Sequence, residues 1–434
     1  MRWHSKSSKR HSHQQALWHA TAGEVPAGDA FEPGMSVDVA VVGAGITGAT
    51  AALHLQKAGA NVALVEAGVP GAGATGRSGG FVVPSFSAVR PGSVYASRGE
   101  AGEKLLRAVA GSADCLFDLM RTHGIDCEGV QAGWFHPAHS NEALERIAED
   151  AGVWQSVGGR ITLLDAIETQ RRTGVSGYAG SFFATGGGTI NPVMFVHGMI
   201  RAAMAAGLKL CSSTPALSLS RDTRRWRLGT TRGDLYADRV LVCTNGRTPE
   251  LFAASADSIV PLTVCQIATS PLAESQRARL LGQGQGLSDT RLNLFSYRFD
   301  PQWRLISGAM PVLPFRRGRH LARRIAARVA RQLGVHDQLE IEHVWIGEAS
   351  ITADRLPVVH QIGPGAFAAV ACNGRGLAMS VVMGQSLARM LDTGRQEELP
   401  VSITQPHRVA SRGLQRLGAR LYPVYGQLRD MLSM

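Results

Sequence analysis

Val37-Asp38-Val39-Ala40-Val41-Val42-Gly43-Ala44-Gly45-Ile46-Thr47-Gly48 reads as strand, tight turn and helix start, and it decides the fold. The first six residues are apolar except Asp38, as a strand buried on both faces requires. Gly43 lets the chain turn sharply out of the strand. Gly45 has no side chain, so the backbone can approach a pyrophosphate, and Gly48 lets the helix pack closely, helped by Ala51 and Ala52. Ala44, Ile46 and Thr47 complete the turn. The helix then runs through Gly59, with its free N–H groups and positive dipole end aimed at phosphate. A second strand, Val62-Ala63-Leu64-Val65, ends at Glu66 and Ala67. Glu66 stands about 20 residues on, where a carboxylate accepts hydrogen bonds from ribose hydroxyls. Chance glycine motifs are easy in a chain with 50 glycines. The flanking strand, helix and acidic residue make this one a dinucleotide-binding βαβ unit.

A second glycine-rich run follows: Gly71-Ala72-Gly73-Ala74-Thr75-Gly76-Arg77-Ser78-Gly79-Gly80, then Phe81. NAD enzymes of the simple doubly wound type do not usually carry it. It resembles the G-A-[ST]-G-R-[NS]-G-G stretch of FAD-dependent amine and amino-acid oxidoreductases of the D-amino-acid oxidase superfamily. The resemblance implies that Gly73 to Phe81 run under the flavin and its diphosphate. Thr75, Arg77 and Ser78 would offer polar groups, and Gly79 and Gly80 would bring backbone N–H groups to the ring.

Two later segments agree with that resemblance. Tyr236 to Gly246 is similar to the strand and turn that close over the cofactor, which makes Thr244, Asn245 and Gly246 candidate contacts; the family usually has a small residue where Cys243 stands. Phe367 to Leu377 reads as strand, Gly turn and helix start, with Gly374, Arg375, Gly376 and Leu377 in the turn. Its helix, expected from Ala378 to Leu391, would aim its N-terminal dipole at the flavin C2 carbonyl. Relatives often have His where Arg375 stands. A fixed cation there would stabilise reduced, anionic flavin, which makes Arg375 the candidate catalytic residue.

Composition bounds the rest. A chain of 434 residues suffices for two domains or one interleaved one. No stretch reaches the roughly 18 apolar residues of a membrane span. Met1 to Gln15 is a polar tail without the apolar segment of a signal peptide, and order is expected to begin near Trp18. The six cysteines form no CxxC pair, so no metal site is expected and they read as reduced thiols of a cytoplasmic protein. Sarcosine-oxidase-like relatives attach flavin through a cysteine in the strand before the final flavin segment. That strand reads Trp345 to Ser350 here and has none, so the FAD is expected to be non-covalent. The net charge of +11 gathers on Arg316, Arg317, Arg319, Arg323, Arg324, Arg328 and Arg331. Among them Leu321, Ile325, Val329 and Leu333 recur every four residues, the pattern of an amphipathic helix with a basic face. No nucleic-acid motif accompanies the charge, so no nucleic acid is expected as partner; a peripheral membrane contact is compatible with it.

The expected fold is α/β (α+β overall), a Rossmann-like FAD-binding domain interleaved with a β-sheet-based substrate domain. Residues 1–35 form the tail and lead-in, 36–90, 180–250 and 345–398 the FAD-binding domain, 95–180 and 250–345 the substrate domain, and 399–434 a helical extension. Asn191-Pro192 supplies an N-cap and N1 proline for a helix to Ala206. A strand over Leu208–Leu219 follows, and Ala216 would contact adenine, as in relatives.

Within the superfamily the chain resembles the γ-glutamylputrescine oxidoreductase type. Leu17 to Ala22, Ser350 to Pro357 and the tail from Arg412 carry that likeness, while Ser78, Phe81 and Arg375 depart from it. The resemblance implies a small amine or amino-acid substrate, hydride transfer to flavin N5, and an imine that hydrolyses. Trp345, Phe81 and Tyr297 are candidate aromatic walls or core residues. Asp354 and Arg355 read as a buried pair or as substrate-facing, and His360 as structural. Oxygen or a quinone or other carrier would take the electrons, and no lysine follows Lys209 to promote oxygen attack. A membrane-docked dehydrogenase and a non-catalytic or RNA-associated flavoprotein are the alternatives.

Overall fold

A computed structural model describes residues 16–28, 30–222, 224–245, 253–292, 295–310, 319–335, 339–370 and 373–406. Gly246, Cys372, Arg316, Arg317, the tail to Gln15 and the segment from residue 407 onward lie outside them.

The apolar run that opens the chain forms the strand Ser36–Val42 near the middle of a nine-stranded sheet. Its neighbours Val62–Val65 and Gly233–Val242 are both parallel to it, with Val42 opposite Val65 and Val242. Ala366–Val370 and Lys209–Cys211 extend the parallel array on either side. Side chains alternate across a strand: Val39 and Val41 enter one core with Leu53 and Leu387, while Ala40 and Val42 enter another with Leu228 and Leu235. That two-sided burial explains the unbroken apolar run. The helix Ile46–Lys57 links the first two strands and packs on the helix Gly376–Thr393. The contact needs Gly384, since a Cβ there would lie 2.6 Å from the Thr47 carbonyl oxygen.

An eight-stranded sheet forms the second layer, ordered Ile341–Thr352, Ile259–Pro271, Arg304–Ala309, Ser296–Phe299, Gly286–Ser288, Trp134–Ala138, Gly180–Ala184, Ile161–Asp165. The helix Arg319–Leu333 covers it, burying Ala322, Ile325, Ala326, Val329 and Leu333, with Arg323, Arg324 and Arg331 in solvent. The mixed α/β architecture is the one expected.

Three details differ from the sequence reading. Gly180–Ala184 and Ile341–Thr352 belong to the second sheet, where the sequence places residues 180–184 and 345–352 in the cofactor domain. The first pairs with Trp134–Ala138 and the second with Ile259–Pro271 along its whole length. The strand expected over Leu208–Leu219 is two strands, Lys209–Cys211 and Ala216–Arg221. Ser213 turns the chain between them at φ 49°, and the Thr214 N–H donates to the Glu66 carbonyl. The last helix begins at Gly376, two residues before Ala378. The helix Pro192–Ala205 starts as read, with the Asn191 side chain accepting from the N–H groups of Val193 and Met194.

Candidate active site

A cleft of about 1660 Å³ is lined by both large sheets. Single small-molecule pockets span about 300–1,000 Å³, so this one has room for a dinucleotide and a second molecule. Gly43, Gly45, Ile46, Thr47, Glu66, Ala67, Gly73, Ala74, Thr75 and Ala216 line it from the first sheet and its loops. Arg77, Ser78, Gly79, Phe81, Thr244, Asn245, Gly374, Arg375, Gly376 and Leu377 line it as well.

Ala44, Gly48, Gly76 and Gly80 do not line the cleft; they shape its wall from behind. A Cβ on Gly48 would lie 1.9 Å from the Gly43 carbonyl oxygen, and one on Gly76 would lie 2.5 Å from that of Gly71. The Gly80 carbonyl accepts from Arg298 Nη1 at 2.8 Å. The Ala44 N–H donates to Glu66 Oε2 at 2.8 Å, and the Gly68 N–H to Glu66 Oε1 at 2.9 Å. Glu66 therefore clamps the first glycine turn to its own strand end. Thr75 Oγ1 accepts from the Ile46 N–H at 3.4 Å, bringing the second glycine run to the helix N-terminus.

The cradle fits a dinucleotide. A Cβ on Gly73 would meet nothing within 4 Å, and one on Gly45 would meet only Thr75 Oγ1, at 3.3 Å. Backbone is thus open to a ligand at both positions. Cys243 lies under the turn, where burial pushes its thiol up to about 12.

The second sheet contributes residues that no motif announced. His136, Ser288 and Arg291 line the cleft, and Arg375 lines it beside them, close enough to His136 to act on its charge. Arg375 Nη1 donates to Ser85 Oγ at 2.6 Å and to the Phe86 carbonyl at 2.5 Å. Its guanidinium lies 4.6 Å from the Trp134 ring centroid. Burial lowers its pKa to about 10, which leaves it charged at neutral pH. Trp134 stacks on His136 at 5.0 Å and donates its Nε1–H to Ser288 Oγ at 3.1 Å. Arg291 pairs with the buried Asp289.

Of the three candidate aromatic walls, Phe81 faces the cleft and the other two are core. Trp345 donates to the Arg77 carbonyl at 3.1 Å, and Tyr297 to that of Thr173 at 3.2 Å. Asp354 and Arg355 are not a buried pair. Asp354 binds Arg98 at 2.5 Å on the surface, and Arg355, at φ 60°, lines the cleft. His360 bridges Ser258 and Thr404 at 3.0 and 3.1 Å, a structural role.

A sequence profile of the FAD dependent oxidoreductase family (DAO) matches residues 38–390, and the chain belongs to that family. The cofactor of the family is FAD. The chain is 27% identical over 404 residues to the probable oxidoreductase OrdL of Rhizobium meliloti, covering 92% of each. It is 25% identical over 430 residues to γ-glutamylputrescine oxidoreductase of Escherichia coli, covering 97% of this chain and 99% of that one. Among solved structures, glycine oxidase from Geobacillus kaustophilus superposes with a TM-score of 0.70 at 21% identity, over 83% of this chain and 96% of that one. The resemblance read from the glycine runs is therefore borne out.

Proposed function

We propose that the protein oxidises a C–N bond in a small amine or amino-acid-like molecule, using non-covalent FAD held in the cleft. The observation that carries this reading is the single cleft that joins an open glycine cradle to a chamber lined by Arg375 and His136, with Trp134 buried behind them. Gly43, Gly45 and the N-terminus of Ile46–Lys57 hold the diphosphate, and Glu66 positions the turn and the ribose. Ala216 and Leu217 flank the base; Leu217 is 58% exposed on the cleft wall, an apolar surface that a flat ring would cover. Arg77, Ser78, Gly79, Phe81, Thr244, Asn245 and Gly374 to Leu377 surround the ring.

Bound FAD supplies the acceptor for the hydride that leaves the carbon beside nitrogen. The protein's residues orient the reactants and set the field. The N-terminus of Gly376–Thr393 and the Arg375 guanidinium both present positive charge to the chamber, which favours electron arrival. The same charge disfavours an ammonium, so the amine binds unprotonated and leaves as an imine that water hydrolyses. Cys243 is the cleft-lining cysteine among the described residues. Its thiol is held protonated, and attachment chemistry needs the thiolate, which supports non-covalent binding. No disulfide joins the described cysteines, in keeping with the cytoplasmic location we assign. Among the described residues no helix is long and apolar enough to cross a membrane.

The test is product analysis. Purified protein is incubated with γ-glutamylputrescine, glycine, D-alanine and simple alkylamines, while carbonyl product, oxygen uptake and quinone reduction are followed. A carbonyl product from one of these amines supports the reading, and the two electron readouts identify the acceptor. No carbonyl product from any amine with either acceptor counts against it.

A further inference from the structure

We propose that His136 Nε2 is the hydrogen-bond acceptor that holds the substrate's amino nitrogen, a role that rests on the amine-oxidising reading above. The strand sets which way the side chains point. On Trp134–Ala138 the side chains of Trp134 and His136 share one face, while Phe135 points into the core of the second sheet. His136 therefore faces the cleft, and it lines it.

Its tautomer is set by its partner. His136 Nδ1 lies 2.6 Å from the Ser288 carbonyl oxygen. A carbonyl only accepts, so Nδ1 carries the proton, and in the neutral ring Nε2 presents its lone pair. The ring is held in place on two sides. Ser288 takes the Nδ1–H on its carbonyl and the Trp134 Nε1–H on its hydroxyl, and Trp134 stacks on the imidazole at an interplanar angle of 20°. Arg375 lies over the same indole. Burial first, and Arg375 second, lower the pKa of His136 to about 3, so the ring stays neutral in the working range.

A neutral imidazole fixed this way discriminates. It accepts from an N–H group of an amine and offers no proton to a carboxylate. With a guanidinium beside it, it favours an amine over an ammonium. His136 is thus a specificity and positioning group, and the hydride leaves from the carbon attached to the nitrogen it holds.

Two variants separate this role from a structural one. In His136→Gln the amide oxygen can reach the place of Nε2, but the Nδ1–H is lost. In His136→Asn the amide N–H can replace Nδ1–H to Ser288, but no acceptor reaches the chamber. The measurement is anaerobic titration of the FAD-loaded proteins with γ-glutamylputrescine, glycine, D-alanine and n-butylamine. Apparent Kd, limiting reduction rate, FAD content and Tm are recorded. With whichever amine reduces the wild type, His136→Asn is expected to raise Kd at least tenfold, His136→Gln less than threefold, with FAD content unchanged in both. The reverse order, with Asn the milder variant, or equal effects in both, overturns the proposal and leaves amine oxidation standing. Should none of the four amines reduce the wild type, the reading beneath it fails, and so does the assignment.

Discussion

The cleft has two walls of different character. On the first sheet the chemistry is carried by backbone: Gly45 and Gly73 are open, Gly43 turns at φ 102° with a Cβ there 3.0 Å from the Cys243 carbonyl oxygen, and Gly48 and Gly76 are packed so closely that a methyl group would collide with a carbonyl oxygen. On the second sheet it is carried by side chains: His136 and Ser288, backed by the buried Trp134, with Arg375 reaching over from the start of the last helix. A wall made of backbone constrains which residue types can stand in it, so it leaves a pattern in the sequence. A wall made of side chains leaves residue types that thousands of other positions also use. In our account the first wall holds a cofactor common to many enzymes, and the second selects the molecule this enzyme oxidises.

Substitutions on the two walls should therefore fail differently. The largest effect is expected from Gly48→Ala, which puts a Cβ 1.9 Å from the Gly43 carbonyl oxygen. Overpacking of this kind costs about 1–3 kcal/mol, and here it deforms the phosphate turn. Purified variant should carry little FAD, read from its visible spectrum; full occupancy would break the contrast between the walls. Arg375→Met should do the opposite, keeping FAD while slowing its reduction by an amine about 10²-fold, the usual cost of losing one electrostatic group at a reacting centre. Stopped-flow reduction at saturating amine checks this, and an unchanged rate would remove Arg375 from the chemistry.

Glu66→Gln sharpens the comparison on the first wall. Hydrogen bonds to a charged partner contribute about 1.5–3 kcal/mol; of the Ala44 and Gly68 N–H groups one would face an amide NH2 and lose its acceptor, and the other would keep only a neutral one. Calorimetry should show FAD binding weakened about tenfold with the reduction rate little altered. A further effect, read on stability and not on FAD content or rate, concerns pH and the second wall. Unfolded, His136 takes up a proton near 6.5; folded, it resists until about 3. Its contribution to stability is thus complete above 6.5 and is lost as pH falls through that window, by up to about 1.4 kcal/mol per pH unit. His19, His54 and His197 are shifted downward too, chiefly by burial, and add to the slope. Denaturation followed between pH 4 and 7 should show a shallower slope in His136→Gln than in wild type.

Much of the first wall was legible in the sequence because glycine spacing, an apolar strand and an acidic residue at a set distance constrain one another. Ala44, Gly48, Gly76 and Gly80 were read as contacts but stand behind the surface, since sequence spacing fixes a turn and not which side of it faces the ligand. The division at residues 180 and 345 misplaced two strands because apolar strands of either sheet look alike. His136 sits in Trp134-Phe135-His136-Pro137, a strand whose alternation reveals a face but not its ligand. Its importance comes from Ser288 and Arg375, far off in sequence and joined to it only by sheet pairing and a long side chain. Trp345 and Tyr297 were equal candidates with Phe81, and only three-dimensional packing separated the cleft residue from the core ones.

The most direct test of the account is anaerobic titration of the purified, FAD-loaded protein with an amine panel, followed through the visible flavin band. The band should be lost on adding one class of small amine and return when an acceptor is admitted. A protein whose flavin no amine in the panel reduces, under conditions where dithionite does, would contradict it.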